Sequence, residues 1–325
     1  DPVGHPLAAL ANLRDEAVVP MRDKWFTLVL RKEAFGLKEP PRELEEIETE
    51  DYLRAFGFSE KIIDRFFRPF FGGIFLEKDL RTSARMLLFL FSMFDRGGSA
   101  LPARGMQAIP DQLAEALPPG SLKLNTPVAH VRRGEVALES GELLQADHIV
   151  MAVSEEAAFR LLPQGVVTTP KPARSTTCLY FAAADADVPA QEPILHLDGD
   201  GRGPVNSAVV LSRIAPEYAP AGQHLISASI VGMPSSHELE EVVREQMTRW
   251  YGSCVQRWRH LRTVQVRHAQ PESRQLRLNE GPLDPVIETG LYRCGDWCED
   301  VSINGALLSG RRAGEALLRA IGEPV

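Results

Sequence analysis

The chain has 325 residues, 44% hydrophobic and 25% charged, the balance of a globular protein large enough for two lobes. Its 44 acidic residues outnumber 36 basic ones, and a formal net charge of −8 argues against nucleic acid as the main partner. Four cysteines, Cys178, Cys254, Cys294 and Cys298, are too few and too scattered for a disulfide scaffold and have no companions for a metal site, so they read as small thiols of a reducing compartment. The longest apolar run, Met86 to Phe94, is far shorter than the roughly 20 residues needed to span a bilayer. With no signal peptide visible, the expected location is cytoplasmic, with peripheral membrane contact left open.

The first third reads as helical. Asp15 to Arg31 is mixed, with Trp25, Leu28 and Val29 on one helical face, and Lys38 to Glu50 reads as a charged, proline-interrupted, solvated connection. Thr49 is placed to cap a helix to Phe56, with Gly57 as its stop, and Ser59 to cap a second through Arg68. Pro69 to Gly73 should end that helix. Thr82 or Ser83 opens a third, strongly apolar from Met86 to Phe94; its aromatic residues and those of Phe66 to Phe75 read as core before tunnel. After a break at Arg96 to Gly98, a helix over Pro110 to Leu117 is expected.

Short strands follow over Leu122 to Val131, Gly134 to Glu139 and Leu143 to Gln145. Asp147 to Val153 is a near-continuous apolar run, the pattern of a parallel strand buried on both faces. Between Pro170 and Thr263, strand-like runs at Thr177 to Ala183, Val205 to Leu211 and His224 to Val231 surround one helix, Ser236 to Tyr251, which suits an antiparallel sheet with helical cover. Gly199-Asp-Gly201-Arg-Gly203-Pro reads as a polar surface turn, and no Ser, His and Asp set stands in nucleophile-elbow context.

The C-terminal stretch, Leu291 to Leu318, carries the most information. It reads as a strand, a Gly295-Asp296 turn and a helix capped by Ser302. A carboxylate at a strand end accepts from hydroxyls, and a helix start receives phosphate or an electron-rich carbonyl. Small residues Gly305, Ala306, Ser309, Gly310, Ala313 and Gly314 stripe that helix, as though a sheet or ligand lay close.

This segment closely resembles the C-terminal flavin-binding signature of the flavin-dependent amine oxidase superfamily, in its phytoene-desaturase and protoporphyrinogen-oxidase-like branch. The resemblance implies that Gly295 and Asp296 meet the flavin ribityl and pyrophosphate, and that Ile303 and Asn304, after Ser302, meet the flavin pyrimidine through their backbone. Pro102-Ala-Arg-Gly-Met-Gln-Ala-Ile-Pro110 resembles the family's Pro-x-Gly-Gly-Met segment, with Arg104 in place of a glycine. Val128 stands where the family places a valine whose backbone meets the adenine. His268, in a His-Ala-x-Pro stretch, is the implied polar group near the flavin face, and the only catalytic candidate.

The expected fold is α/β: an incomplete FAD-binding parallel-sheet lobe (102–165 and 283–325) plus an α+β substrate lobe of helices and an antiparallel sheet (1–101 and 166–282). The family's glycine-rich phosphate turn is absent from the sequence, which starts at Asp1. The expectation is therefore a chain lacking the first βαβ unit, with FAD as cofactor of the parent protein and the chain alone inactive. Hydride would pass from an apolar or polyunsaturated small molecule to the flavin. The alternative is a non-enzymatic apolar-ligand module without cofactor. No metal is expected, and the exposed sheet edge should invite a homodimer or the missing N-terminal segment.

Overall fold

The computed structural model describes residues 20–37, 40–96, 100–167, 172–188, 192–235, 238–272 and 282–324. The expected features at Asp15 to Val19, Gly97-Gly98, Pro170 and Ser236 lie outside them. The architecture is α/β, and the chain divides into two compact units, Asp1–Ile109 with Arg174–Ala269, and Pro110–Ala173 with Gln270–Val325.

In the first unit, α1 (Met21–Gly36) buries Leu30 and Ala34 and packs on α5 (Ala84–Arg96). α2 (Thr49–Phe56) ends at Gly57, whose φ of 107° is the left-handed stop expected there. Glu48, not Thr49, holds the cap position; the buried Thr49 hydroxyl donates to the Thr82 carbonyl at 2.7 Å. Ser59 likewise makes no cap of its own. Its hydroxyl and its N–H (3.0 Å) both bond the fully buried Asp23 carboxylate, so a residue of α1 satisfies the next helix start.

That next helix continues past the expected stop. α3 (Glu60–Ile62) passes through a π turn (Ile63–Phe67) into α4 (Arg68–Phe75), with Pro69 directly after the π turn. Gly72 and Gly73 stay helical because neighbours approach: a Cβ on Gly72 would lie 2.5 Å from the Glu77 carbonyl, and one on Gly73 2.7 Å from Asn206 Nδ2. Phe67, Phe71 and Phe75 are buried, with Phe67 and Phe71 rings 6.1 Å apart, so the aromatic run is largely core. The described part of the expected solvated connection, 40–50, is exposed at 41–43 and 46–47 but not throughout. Its 3-10 turn (Arg42–Glu45) buries Glu45 against Arg85 of α5, N to O 3.4 Å, both side chains under 3% exposed.

A five-stranded sheet completes this unit in the order β6 (Leu195–Leu197), β7 (Ser207–Val210), β8 (Gln223–Val231), β5 (Ala173–Ala184), β9 (Arg259–Pro271). Alternation sends Leu179, Phe181, Ile226, Ala228 and Ile230 to one face, where they pack with Val243 and Met247 of α9 (Leu239–Tyr251). Strand β7 stops at Val210 and the short helix α8 (Leu211–Ile214) follows.

The second unit begins with α6 (Ala108–Glu115), then an antiparallel ladder of β1 (Val128–Arg132), β2 (Glu135–Leu138) and β3 (Leu143–Gln145). β4 (Ile149–Ala152) pairs in parallel with β11 (Leu291–Cys294), which pairs antiparallel with β10 (Val286–Glu288). β4 is an edge strand, and only its Ile149 and Met151 face is buried; Val150 remains 39% exposed. The expectation of burial on both faces therefore fails. Helix α7 (Glu155–Leu161) is capped by Ser154, whose hydroxyl accepts from the Ala157 N–H, and α10 (Ile303–Ile321) closes the chain.

Candidate functional site

Everything at the end of β11 converges on one corner. Gly295 has φ 151°, and a Cβ there would lie 2.6 Å from Trp297 Nε1 and 3.1 Å from the Val153 carbonyl, so only glycine fits. Trp297 is buried and donates its indole N–H to the Val153 carbonyl at 2.8 Å, tying the turn to the end of β4. From α10, the buried Ser309 hydroxyl accepts the Gly295 N–H at 2.9 Å and lies 2.9 Å from the Gly295 carbonyl. The Gly-Asp turn is thus pinned from both sides.

Asp296 opens a 3-10 turn (Asp296–Cys298), and its Oδ1 accepts the Trp297 N–H at 2.9 Å. Burial pushes its carboxyl above the ordinary aspartate value, backbone N–H groups oppose this, and the nearby Asp300 charge adds to the rise. Ser302 caps α10 as its sequence position predicts: its oxygen accepts the Gly305 N–H at 2.9 Å while its hydroxyl bonds the Asp300 carboxylate. A Cβ on Gly305 would strike the Asp300 carbonyl, which gives this glycine its reason. Gly310 and Gly314 have open space around them, so the small-residue stripe is not one packed seam.

Ile303 and Asn304 are the first residues of α10, both exposed, and their N–H groups precede any intrahelical acceptor. Gly295, Asp296, Ser302, Ile303 and Asn304 therefore stand in one corner: a carboxylate that accepts from hydroxyls beside a helix start that donates to carbonyl or phosphate oxygen. Val128 lies in the same unit, at the start of edge strand β1, packed against the cluster that contains Trp297. His268 is in the other unit, exposed on β9. Cys294 and Cys298 are buried and outside any disulfide, the Cys294 thiol pushed up by burial, and no metal-holding group of His, Cys, Asp or Glu occurs among the described residues.

Two features escaped sequence reading. A cavity of about 280 Å³ lies between α4 and the second face of the five-stranded sheet, with Phe70, Ile74 and Leu195 as apolar walls and Thr176, Asn206, Ser207 and Ser229 among its polar lining. Its residues are scattered over the sequence, and only the strand alternation hinted that Ser207 and Ser229 share a face. The second feature is a Ser212–His224–Asp185 chain, with Ser212 Oγ 2.8 Å from His224 Nδ1 and His224 Nε2 2.8 Å from Asp185. Ser212 is buried and also accepts the Leu225 N–H at 3.1 Å. The trio clips α8 to β8 and offers no free nucleophile.

A family model described as flavin containing amine oxidoreductase matches residues 19–318. Among solved structures, an oxidoreductase from Methanosarcina mazei is similar with TM-score 0.69 at 16% identity, over 92% of this chain and 74% of that one. Reduced UDP-galactopyranose mutase is similar with TM-score 0.63 at 15% identity, over 93% and 73%. Putrescine oxidase bound to putrescine gives TM-score 0.64 at 14% identity, over 92% and 76%. At such identities these likenesses speak for the fold. No curated protein sequence matches the chain.

Proposed function

Since the chain belongs to the flavin-containing amine oxidoreductase family, we propose that its second unit grips the riboflavin end of FAD and its first unit holds the substrate. The observation that carries this reading is the pinned corner. Asp296, held half-buried by Gly295 and Ser309, stands on the same turn-and-helix element as the open start of α10. A glycine that admits no Cβ, a carboxylate and free helix-start N–H groups are what a ribityl chain and a pyrimidine edge require. In this reading Asp296 accepts from the ribityl hydroxyls, and Ile303 and Asn304 donate to the pyrimidine oxygens. Val128 offers backbone groups of an edge strand to the adenine.

When bound, the flavin supplies the two-electron acceptor for a substrate C–H bond; the protein's part is to orient that bond and exclude water. The cavity against α4 supports a mainly apolar substrate with one hydrogen-bonding group, since Phe70, Ile74 and Leu195 face a floor that includes Ser207 and Ser229. This narrows the apolar or polyunsaturated class that the desaturase-like resemblance implies. No role is assigned to His268.

The test is flavin retention. FAD titrated into the purified protein should shift its visible absorbance, and Asp296→Ala should weaken binding about 10- to 100-fold, the scale of a lost charge-assisted hydrogen bond. An unchanged affinity in Asp296→Ala, with native circular dichroism, refutes the role given to Asp296. A colourless protein that takes up no FAD yet binds an apolar dye in the α4 cavity would favour the non-enzymatic alternative.

A further inference from the structure

The two faces of the five-stranded sheet differ in chemistry. Alternation sends Leu179, Ala208, Ala228 and Ile230 into the core, so Thr176, Cys178, Ser207 and Ser229 fall on the opposite face. Ser207 of β7 stands directly across from Ser229 of β8, and Ser229 across from Cys178 of β5. The cavity against α4 opens over Thr176, Ser207 and Ser229. Their hydrogen bonding is incomplete. Thr176 donates its hydroxyl to the Ile230 carbonyl at 2.9 Å, and Asn206 Nδ2 donates to the Pro69 carbonyl at 2.8 Å, which leaves the Thr176 Oγ1 and Asn206 Oδ1 as acceptors. Among the described residues the Ser207 hydroxyl has no partner, and the Ser229 hydroxyl reaches only the Cys178 sulfur, at 4.0 Å.

Charge is missing from the same walls. No Asp, Glu, Lys, Arg or His lines the cavity among the described residues. Arg174, on the same face of β5, is engaged by Glu77 at 2.9 Å and by the Phe75 carbonyl. Tyr180, two residues beyond Cys178, is pushed up to about 12 by burial first and then by Cys178, so it stays neutral near pH 7. An adjoining cleft of about 370 Å³ does hold charge, with Arg68, Lys78 and Asp198 among its lining. The two share Pro69 and Asn206, so the hydrogen bond between these residues belongs to the common wall. An ammonium or a carboxylate drawn into the α4 cavity would lose its hydration and find no counter-ion. A hydroxyl meets no such cost: it donates to Thr176 or Asn206 and accepts from Ser207 or Ser229.

We propose that the α4 cavity selects an apolar alcohol over an amine or an acid, with Ser207 and Ser229 as the pair that sets this specificity. The inference rests on the cavity being the substrate site of the reading above, and it names the chemical class which that site takes.

The test is isothermal titration calorimetry of the purified protein with 1-octanol, 2-octanone, octylamine and octanoate at about pH 7, where the last two are ions. Octanol should bind about tenfold or more tightly than either ion, and about threefold more tightly than the ketone, which cannot donate. Ser207→Ala with Ser229→Ala should weaken octanol about tenfold, the scale of two neutral hydrogen bonds, while Nile red, an apolar dye without a hydroxyl, keeps its affinity. Ser207→Asp should reverse the order and favour octylamine. An ion or a ketone that binds as tightly as octanol overturns the proposal. So does octanol binding that the alanine pair leaves unchanged, or a folded Ser207→Asp variant that gains nothing for octylamine. Nile red bound without octanol removes the hydroxyl preference and spares the apolar site. Neither bound removes the cavity's substrate role as well, and the FAD titration tests the flavin corner apart from both.

Discussion

The Ser309 hydroxyl is the smallest group on which the candidate site depends. Ser309→Ala removes one oxygen from a position only 3% exposed, leaving the helix propensity of α10 intact or improved. The Gly295 N–H, which Ser309 accepts at 2.9 Å, then loses its partner beside the buried Trp297. A buried donor stranded in this way costs about 1–3 kcal/mol, whereas the added void is less than a methyl group and adds little. The same clip sets where Asp296 points, so the loss should appear in two readouts. Amide exchange of the peptide 291–298 should accelerate about 5- to 150-fold, which is that free energy expressed as a local opening constant. FAD affinity should fall while Asp296 itself is untouched. If Ser309→Ala leaves exchange in 291–298 at the wild-type rate, the turn is held by Trp297 and the β11 end alone, and the argument for a clip from α10 is wrong.

The remaining expectations concern other parts of the molecule. Arg85→Met should destabilise the first unit by about 3–5 kcal/mol in urea unfolding, because it leaves Glu45 buried with no counter-ion, while pairing it with Glu45→Leu should recover most of the loss. Equal losses in the single and double variants would deny that charge is the cause. Burial raises the Glu45 carboxyl above its ordinary 4.5 despite the attraction of Arg85. A raised carboxyl favours the folded state below its unfolded value, so stability should decline as pH climbs from about 4.5 through the raised value. Glu45→Gln should flatten that slope in pH-dependent thermal melts, and an unchanged slope would count against it. Gly305→Ala should cost about 1–3 kcal/mol through overpacking against the Asp300 carbonyl, whereas Gly310→Ala, with open space around it, should stabilise by several tenths of a kcal/mol. The reverse order in thermal melts would show that the start of α10 is loosely packed.

How much of this was legible beforehand depends on the range of the interaction. Local chemistry was readable. Gly57 as a left-handed stop and Ser302 as a cap with its oxygen on the Gly305 N–H follow from a few neighbouring residues, because turns and caps close within one helical turn. The alternation along β5 and β8 is likewise fixed by the two-residue period of a strand. Asp296 and the Ser302 cap were picked out for the same reason, since they occupy one short strand–turn–helix stretch, whereas Gly295, Ile303 and Asn304 entered through the family resemblance of that stretch.

What the tertiary structure alone decided involves partners far apart in the chain. Asp23 took over the cap that Ser59 was placed to form, thirty-six positions away. Pro69 and Gly72-Gly73 read as a helix end, yet Asn206 and the Glu77 carbonyl close over the glycines and the helix runs on to Phe75. Glu45 sat in a run that reads as solvated until Arg85 supplied its counter-ion. β4, an apolar run with the pattern of a doubly covered strand, is covered on one face only. Hydrophobic period and capping preference are properties of a segment; burial of a charge, the closeness of a backbone and the covering of a face are properties of what arrives opposite it, and no local pattern encodes the arrival.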